Sequence, residues 1–361
     1  MIRLLLFFIF LFFISLNLNS KEIKLEKIID DLNKPWSLSF IDQENVLITE
    51  KPGKLYKLNL KDKKITEVNH NLSVLDHGQG GLLDVLYKNE QVYISYSEDR
   101  GNGTSSTSVA KGKFSSNNIK SKNIFRAEPP IHSGYHFGSR LVIKDKYIFI
   151  TAGERNEGMI AQDVTKHPGS IIRLNLDGSI PKDNPKFKDK KDWLPEIYQI
   201  GVRNPQGMAL SPFDNKIYLS NHGARGGDWF GTANYGGNYG WKILGWGGTN
   251  YSGSKIGPKW KEGFTKAIKY WVPSIAVSAI AIYKGEEFKE WNGDALITSL
   301  KDQSLRKIKF KDNQFINEEI IFKGNIGRIR DIKVHKETGE IYLLSDNGSL
   351  WRMFRWKKYL F

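Results

Sequence analysis

Six segments of the chain share one order of features, and this repetition restricts the possible folds more than any other property of the sequence. Each segment starts with a short polar or glycine-bearing stretch, which we call its head, and continues through an apolar run, a polar turn and a second apolar run. β-Branched and aromatic residues fill the runs, as is typical of strands. No segment after residue 20 has a long helical period. The heads are KPWSLSF (35), GQGGLLDV (78), HFGSRLVI (136), RNPQGMAL (203), VSAIAIY (277) and GRIRDIKV (327).

This repeat predicts an all-β fold, a six-bladed β-propeller with four-stranded antiparallel blades. A β-sandwich or a jelly roll would use similar strands, but would not explain why unusual polar residues recur at the same point of each repeat. The glycine- and aromatic-rich segment 226–257, between the fourth and fifth heads, is expected to form loops over one face of the propeller.

In a propeller the innermost strands converge on one central channel, so the heads become neighbours in space. Alone, a buried histidine is more often a core residue than a catalytic one, and an Arg-x-Arg pair is more often a solvated strand face. Recurrence in several repeats favours a shared site, rich in cations and poor in carboxylates, that fits a planar polyanionic ligand and offers a base near neutral pH. The candidates are Gln79, Asp84, His136, Arg140, Glu154, Arg155, Asn156, Arg203, Asn204, Gln206, His222, Lys301, Arg328 and Arg330.

The first 20 residues have the composition of a secretory signal peptide, with a cation at Arg3 followed by an apolar core of Leu, Phe and Ile. The alternative is an uncleaved membrane anchor, but the apolar core ends short of the roughly 20 residues that a spanning helix needs. We therefore expect cleavage near Ser20, a propeller domain over residues 21–361, and a periplasmic or secreted protein. No later segment is apolar enough for stable membrane insertion.

The chain has no cysteine, which excludes disulfides, a thiolate nucleophile and a thiolate metal site. Its formal net charge of +15 suggests an anionic partner, although solvated surface lysines account for much of it. Nucleic acid binding is not expected, because the protein is predicted to be exported and no recognised basic motif is present.

Several motifs, in order along nearly the whole mature chain, resemble the soluble glucose/sorbosone dehydrogenase family, in particular its aldose sugar dehydrogenase branch. They include GQGGLLDV, HFGSRLV with ITAGERN, IGVRNPQGMAL, HGARGGD, NYGW, SLKDQSLRKI and GRIRDIKV. The resemblance implies a six-bladed propeller that holds pyrroloquinoline quinone (PQQ) and Ca²⁺ over its central channel and oxidises the C1 hydroxyl of an aldose sugar to a lactone. It also implies an external electron acceptor.

The resemblance assigns a role to each matching position. His136 is implied to be the general base and Glu154 the acidic residue that orients it. Arg203 and Asn204 are implied to contact the quinone, and the residues implied to bind its carboxylates are Gln79, Lys301, Arg328 and Arg330. The backbone carbonyls of Gly223 and Ala224 are implied to be Ca²⁺ ligands, and Trp271 is expected to line the sugar entrance.

The chain also departs from the family pattern at two positions. The family usually reads HGPRGGDE where this chain reads HGARGGDW, so Ala224 replaces a proline and Trp229 replaces an acidic residue. The second change puts a further calcium site there in doubt. His222 is expected to be a packing residue rather than a metal ligand. Two alternative functions stay open: a lactonase-type propeller hydrolase and a non-catalytic propeller that binds carbohydrate or protein.

Overall fold

The computed structural model describes residues 22–186 and 192–356. The predicted signal peptide, residues 1–20, lies outside the described residues. No helix in the described part of the chain is both long and apolar enough to cross a membrane. The helical segments within these ranges are two short 3-10 helices, Gly158–Gln162 and Lys289–Trp291.

The first strand, β1 (Ile23–Ile29), belongs to the last sheet, and the chain then forms six sheets in succession. The first blade contains β2 (Pro35–Phe40), β3 (Asn45–Glu50), β4 (Leu55–Asn59) and β5 (Ile65–Glu67). The second contains β6 (Asn69–His70), β7 (Leu82–Lys88), β8 (Gln91–Asp99), β9 (Ser105–Ser115) and β10 (Asn118–Arg126). The third contains β11 (Gly138–Lys144), β12 (Tyr147–Ala152), β13 (Ser170–Asn175) and β14 (Ile197–Ile200).

The remaining three blades follow the same order from the centre outward. The fourth contains β15 (Asn204–Leu210), β16 (Ile217–His222), β17 (Asp228–Thr232) and β18 (Lys269–Trp271). The fifth contains β19 (Val277–Ile282), β20 (Ala295–Ser299), β21 (Ser304–Lys311) and β22 (Gln314–Lys323). The sixth contains β23 (Ile329–Val334), β24 (Ile341–Ser345) and β25 (Leu350–Arg355), and β1 pairs with β25 to complete it.

The predicted six-bladed propeller is confirmed. Strands β2, β7, β11, β15, β19 and β23 each pack beside the next, and β23 returns to β2, so they form a closed inner ring. All six begin within or directly after the heads identified in the sequence. Pairing of β1 with β25 joins the two ends of the described chain and so closes the ring of blades. The second blade adds one detail, because the two-residue β6 pairs parallel to β10 as a fifth strand.

The core consists of clusters between neighbouring blades. One cluster, for example, joins Tyr93 and Val109 of the second blade to Leu141 and Ile150 of the third. Each inner strand is covered by the next blade on either face, and the buried share of its residues ranges from six of seven in β11 to three of six in β23. The inner strands also contain buried polar residues, and Arg140 of β11 donates to Asp84 of β7 and Asp331 of β23. The outermost β22, by contrast, is mostly exposed.

The segment 226–257 is only partly a set of loops. It begins with β17, whose five residues are all buried, and becomes irregular after Thr232. The irregular part is packed rather than loose, because Tyr239, Leu244 and Trp246 are buried in the cluster between the third and fourth blades. The prediction of loops was therefore wrong for β17. Glycines flank its short hydrophobic run in the sequence, so the run did not indicate a strand.

Candidate active site in the central cavity

A cavity of about 490 Å³ lies where the inner strands begin. Every blade contributes to its lining, as expected if the heads converge at one end of the channel. The lining residues that the sequence singled out are Gln79, Asn204, Gln206, His222, Arg328 and Arg330. The wall also includes Lys34, Trp36, Lys51 and Asp346, which were not among the predicted site residues.

His136 and Glu154 form a buried pair beside this cavity. His136 Nδ1 lies 2.5 Å from Glu154 Oε1, and the side chains are 7% and 2% exposed. Glu154 Oε2 accepts a hydrogen bond of 2.6 Å from the Gly158 backbone N–H. Since a carboxylate oxygen accepts, Nδ1 carries the ring proton, and the lone pair of the neutral imidazole is on Nε2. In the described part of the chain, no hydrogen bond to Nε2 is formed, so this atom is free to accept a proton.

The backbone around His136 is fixed by its neighbours. His136 has a left-handed φ of 52°, and its backbone N–H donates to Gln79 Oε1 at 2.9 Å. On the adjacent strand end, a Cβ added to Gly153 would lie 2.0 Å from the His136 carbonyl oxygen. Only glycine permits this approach, so the sequence ITAGERN places Glu154 directly beside the imidazole.

The surroundings of His136 lower its pKa below the ordinary value of 6.5. Burial is the largest cause, because it penalises the charged form, and the Arg203 and Arg155 guanidiniums act in the same direction. The hydrogen bond to Glu154 opposes them but does not outweigh them. The imidazole is therefore neutral at pH 7, the form that a general base requires.

Arg203 and Asn204 lie at the start of the fourth inner strand. The Arg203 carbonyl accepts the Glu154 backbone N–H at 2.8 Å, which couples Arg203 to the His136–Glu154 pair. Arg203 is buried, its guanidinium lies 5.3 Å from the centre of the Trp241 ring, and its Nε has no hydrogen-bond partner among the described residues. Asn204 Oδ1 accepts from the Gly138 backbone N–H at 3.0 Å. A buried donor without a partner is costly and indicates a bound ligand or solvent.

Arg328 and Arg330 reach the cavity but share one carboxylate, that of Asp346. Arg330 Nε and Nη2 donate to Asp346 at 2.7 and 3.0 Å, and Arg330 Nη1 donates to Gln206 Oε1 at 3.1 Å. Arg328 Nε donates to Asp346 Oδ2 at 3.1 Å. Burial would raise the pKa of Asp346, but the two guanidiniums outweigh it and the pKa is lowered.

Two of the residues that the sequence reasoning missed, Lys51 and Asp346, share a position that could have identified them. Lys51 directly follows β3, and Asp346 directly follows β24. Each is at the end of a second strand, which runs antiparallel to the inner strand and so ends where that strand begins. Glu154 and Lys301 occupy nearly the same position in the third and fifth blades. The ends of second strands are therefore as informative about the site as the heads.

A second cavity of about 260 Å³ adjoins the first, since His222 and Ala276 line both. It contains the predicted residues Gly223, Ala224 and Lys301. The Gly223 and Ala224 carbonyl oxygens accept no hydrogen bond from the described residues, which leaves them available to a cation. Asp228 Oδ1 accepts the Gly223 backbone N–H at 2.8 Å and so fixes this turn. Within residues 22–186 and 192–356, no cluster of three or more His, Cys, Asp or Glu side chains could hold a metal.

His222 Nε2 bonds to the backbone and so does not offer a lone pair to a metal. Its Nε2–H donates to the Val277 carbonyl. Burial, together with the field of Arg203, lowers the pKa of His222 to about 4 against the opposing effect of Asp228. This geometry agrees with the expectation that His222 has a packing role.

Two predicted cations of the site, Arg155 and Arg140, bond mainly to groups within the protein. The Arg155 guanidinium lies 3.6 Å from the centre of the Phe137 ring and donates to the Ser105 carbonyl at 2.8 Å. Arg140 Nη1 donates to Asp331 Oδ1 at 2.9 Å and to Asp84 Oδ1 at 3.2 Å, with all three side chains buried. These arginines bond mainly to internal acceptors, and Arg140 Nη2 has no hydrogen-bond partner among the described residues.

Trp271 and Trp229, the two tryptophans singled out in the sequence, lie in the core. Trp271 does not line either of the two cavities: it is 6% exposed, packs between the fourth and fifth blades, and its indole N–H donates to Glu318 Oε1 at 2.8 Å. This position gives no support to the expected role at a sugar entrance. Trp229 stacks on Tyr239 with ring centres 3.9 Å apart and is fully buried. The aromatic replacement of an acidic residue thus fills the core of the fourth blade.

The fold and site together define a propeller with a ligand cavity on its axis, lined by cations and flanked by a paired imidazole. Residues 32–352 match the Glucose / Sorbosone dehydrogenase family model, and the chain belongs to this family. The aldose sugar dehydrogenase YliI of Escherichia coli (strain K12) is 36% identical over 341 residues, which cover 91% of each chain. The resemblance drawn from the motifs is thereby confirmed.

Solved structures agree with this assignment. The crystal structure of the soluble aldose sugar dehydrogenase from Escherichia coli, in the apo-form, superposes with a TM-score of 0.87 at 34% identity and covers 93% of this chain and 100% of that one. The PQQ-bound form of the aldose sugar dehydrogenase from Streptomyces coelicolor has a TM-score of 0.76 at 20% identity, covering 92% and 98%. At 20% identity, the similarity to the Streptomyces coelicolor structure shows a shared fold alone.

Proposed function

We propose that the protein is a periplasmic or secreted quinoprotein that oxidises the C1 hydroxyl of aldose sugars to lactones, with PQQ and Ca²⁺ as cofactors. The observation that carries this proposal is the charge of the central cavity beside a neutral imidazole. Lys34, Lys51, Arg328 and Arg330 line the cavity together with a single carboxylate, Asp346. Family membership and the similarity to named aldose sugar dehydrogenases support it.

The residues present fit a tricarboxylate quinone. Excess positive charge in a partly enclosed cavity favours a polyanion, since ionic hydrogen bonds strengthen away from bulk water. The unpartnered Nε of buried Arg203 supplies a donor for a carbonyl oxygen. Gln79 and Asn204 offer polar contacts on the cavity wall, and Arg328 and Arg330 offer guanidinium edges. Lys301 extends the positive charge into the second cavity.

A calcium ion would be held by backbone oxygens rather than by a carboxylate cluster. Gly223 and Ala224 have unused carbonyl oxygens beside the central cavity, and Ca²⁺ accepts backbone carbonyls in a flexible coordination shell. The turn that presents them is fixed by Asp228, whose Oδ2 also accepts the Val277 backbone N–H at 3.2 Å.

His136 performs the proton transfer in this proposal. The hemiacetal C1–O–H loses its proton to His136 Nε2 while the C1–H bond breaks, and the C1=O bond of the lactone forms. PQQ, when bound, is the two-electron acceptor for the hydride that leaves C1, and the electrons then pass to an external electron acceptor. Glu154 holds Nδ1–H and stabilises the imidazolium that forms. Arg203 places positive charge where charge develops on the quinone side.

Reconstitution tests the proposal. Purified apoprotein is incubated with PQQ and CaCl₂, and aldose-dependent reduction of a dye is followed together with lactone formation. His136→Gln is expected to keep quinone binding and to lose about 10²- to 10⁴-fold in turnover, the usual contribution of a general base. Absence of quinone binding at micromolar concentration would favour a binding propeller. Lactone hydrolysis without added quinone would favour a hydrolase.

A further inference from the structure

The cations of the central cavity are unevenly paired. Arg330 uses Nε and Nη2 on Asp346 and Nη1 on Gln206 Oε1. Arg328 also donates to Asp346. Among the described residues, three of the five N–H donors of Arg330 and one of the five of Arg328 are therefore engaged within the protein.

Lys51 is different, because it is largely buried and weakly paired. Its side chain is 16% exposed, and Nζ donates to the Gly78 carbonyl at 2.8 Å. The nearest carboxylate oxygen, Asp76 Oδ1, is 3.9 Å away, beyond hydrogen-bond distance. An ammonium has three donors, so two of them find no hydrogen-bond partner among the described residues. A buried cation with unused donors in a ligand cavity attracts an anion.

The contacts of Lys51 also connect it to the base. Lys51 Nζ bonds to the Gly78 carbonyl, and the next residue, Gln79, accepts the His136 backbone N–H through Oε1. An anionic group held at Lys51 would therefore sit on the same wall segment that positions His136. Burial and the positive charges of Arg330 and Lys34 lower the pKa of Lys51, while Asp76 and Asp346 oppose this shift. A bound carboxylate would favour the charged form.

We infer that Lys51 binds a carboxylate of the ligand in the central cavity. This inference rests on the proposed function, because it takes PQQ as the ligand. Lys34 supplies a matched control. It lines the same cavity and has the same charge, but its side chain is 60% exposed and it lies 3.5 Å from Asp76.

The test is an equilibrium titration of the full-length mature protein with PQQ in the presence of CaCl₂, followed by quenching of tryptophan fluorescence. Lys51→Met, which keeps the aliphatic stem, is expected to raise the Kd about 10- to 100-fold, the effect of losing a hydrogen bond to a charged group. Lys34→Met is expected to change it by no more than about fivefold, as for an exposed ion pair. Lys51→Arg is expected to recover most of the affinity.

A second measurement is independent of the fraction of folded protein. The ratio of Kd values for the trimethyl ester of PQQ and for PQQ itself is measured in the wild type and in Lys51→Met. If Lys51 binds a carboxylate, this ratio is expected to shrink about 10-fold or more in the variant. An unchanged ratio, or a Lys51→Met affinity equal to that of Lys34→Met, would overturn the inference alone. A wild type that binds no PQQ would overturn the proposed function and the inference with it.

Discussion

Glu154 joins His136 to the backbone of two other segments. One carboxylate oxygen lies 2.5 Å from His136 Nδ1 and the other accepts the Gly158 N–H, while the Glu154 backbone N–H donates to the Arg203 carbonyl. The third and fourth blades therefore fix the imidazole through one residue. The ring orientation is set by the fold, so chemistry at Nε2 needs no rearrangement of the pair.

Replacing Glu154 tests this arrangement directly. In Glu154→Gln an uncharged amide faces Nδ1, so the imidazolium that forms on proton transfer is no longer stabilised. We expect turnover with an aldose to fall about 10²-fold, within the range attributed to acid–base catalysis, while the Kd for PQQ changes little. Steady-state kinetics with a dye acceptor and a quinone titration measure the two quantities. Glu157→Gln, at an exposed neighbouring position, is the matched control and should retain wild-type turnover.

The pH dependence follows from the lowered pKa of His136. In the proposed reaction the neutral imidazole is the active form, so kcat/KM should stay constant near neutral pH and fall as pH drops through a midpoint below 6.5. Arg203 lowers this pKa and Glu154 raises it. Arg203→Gln should therefore move the acid limb to higher pH, and Glu154→Gln should move it to lower pH. Shifts in the same direction in both variants would show that another group controls the limb.

Trp271 is expected to affect stability rather than sugar affinity. Trp271→Phe removes the indole donor and leaves Glu318 without one of its hydrogen bonds. The free energy of unfolding, measured by urea denaturation, should fall by about 1.5 to 3 kcal/mol, the range for hydrogen bonds to charged groups. The KM for the sugar should not change. Trp260→Phe, at a position 40% exposed, should cost less. A raised KM with unchanged stability would restore the entrance role expected from the sequence.

The inner ring could be predicted from the sequence because its physical cause is local. Blades cover both faces of an inner strand, and a strand such as Leu82–Lys88 therefore begins with four buried residues directly after a turn. The polar heads next to these runs then indicate the site. The positions of the inner strands and of the cavity at their heads therefore follow from the repeated order of features in the sequence.

The pairing of charges could not be predicted in the same way. Arg140 bonds to Asp331, 191 positions away, and Arg330 shares Asp346 with Arg328. The sequence shows which residues are cations but not which ones already have a carboxylate partner. The burial of Trp271 could not be predicted for a similar reason, since it depends on how the fourth and fifth blades pack.

The Arg140 network provides a final prediction. Asp331 is fully buried, and burial would raise its pKa, but Arg140 and Lys333 outweigh this effect and the pKa is lowered. Arg140→Met leaves Asp84 and Asp331 without their buried cation, so the free energy of unfolding should fall by about 3 to 5 kcal/mol in urea denaturation. Lys333→Met, in which the lost cation is 32% exposed, should cost less than about 1 kcal/mol. Because the Arg140 guanidinium lies 4.3 Å from the centre of the Trp36 ring, which lines the central cavity, Arg140→Met should also weaken PQQ binding. Equal stability losses in the two variants would mean that Lys333 contributes as much to the network as the buried guanidinium, contrary to this prediction.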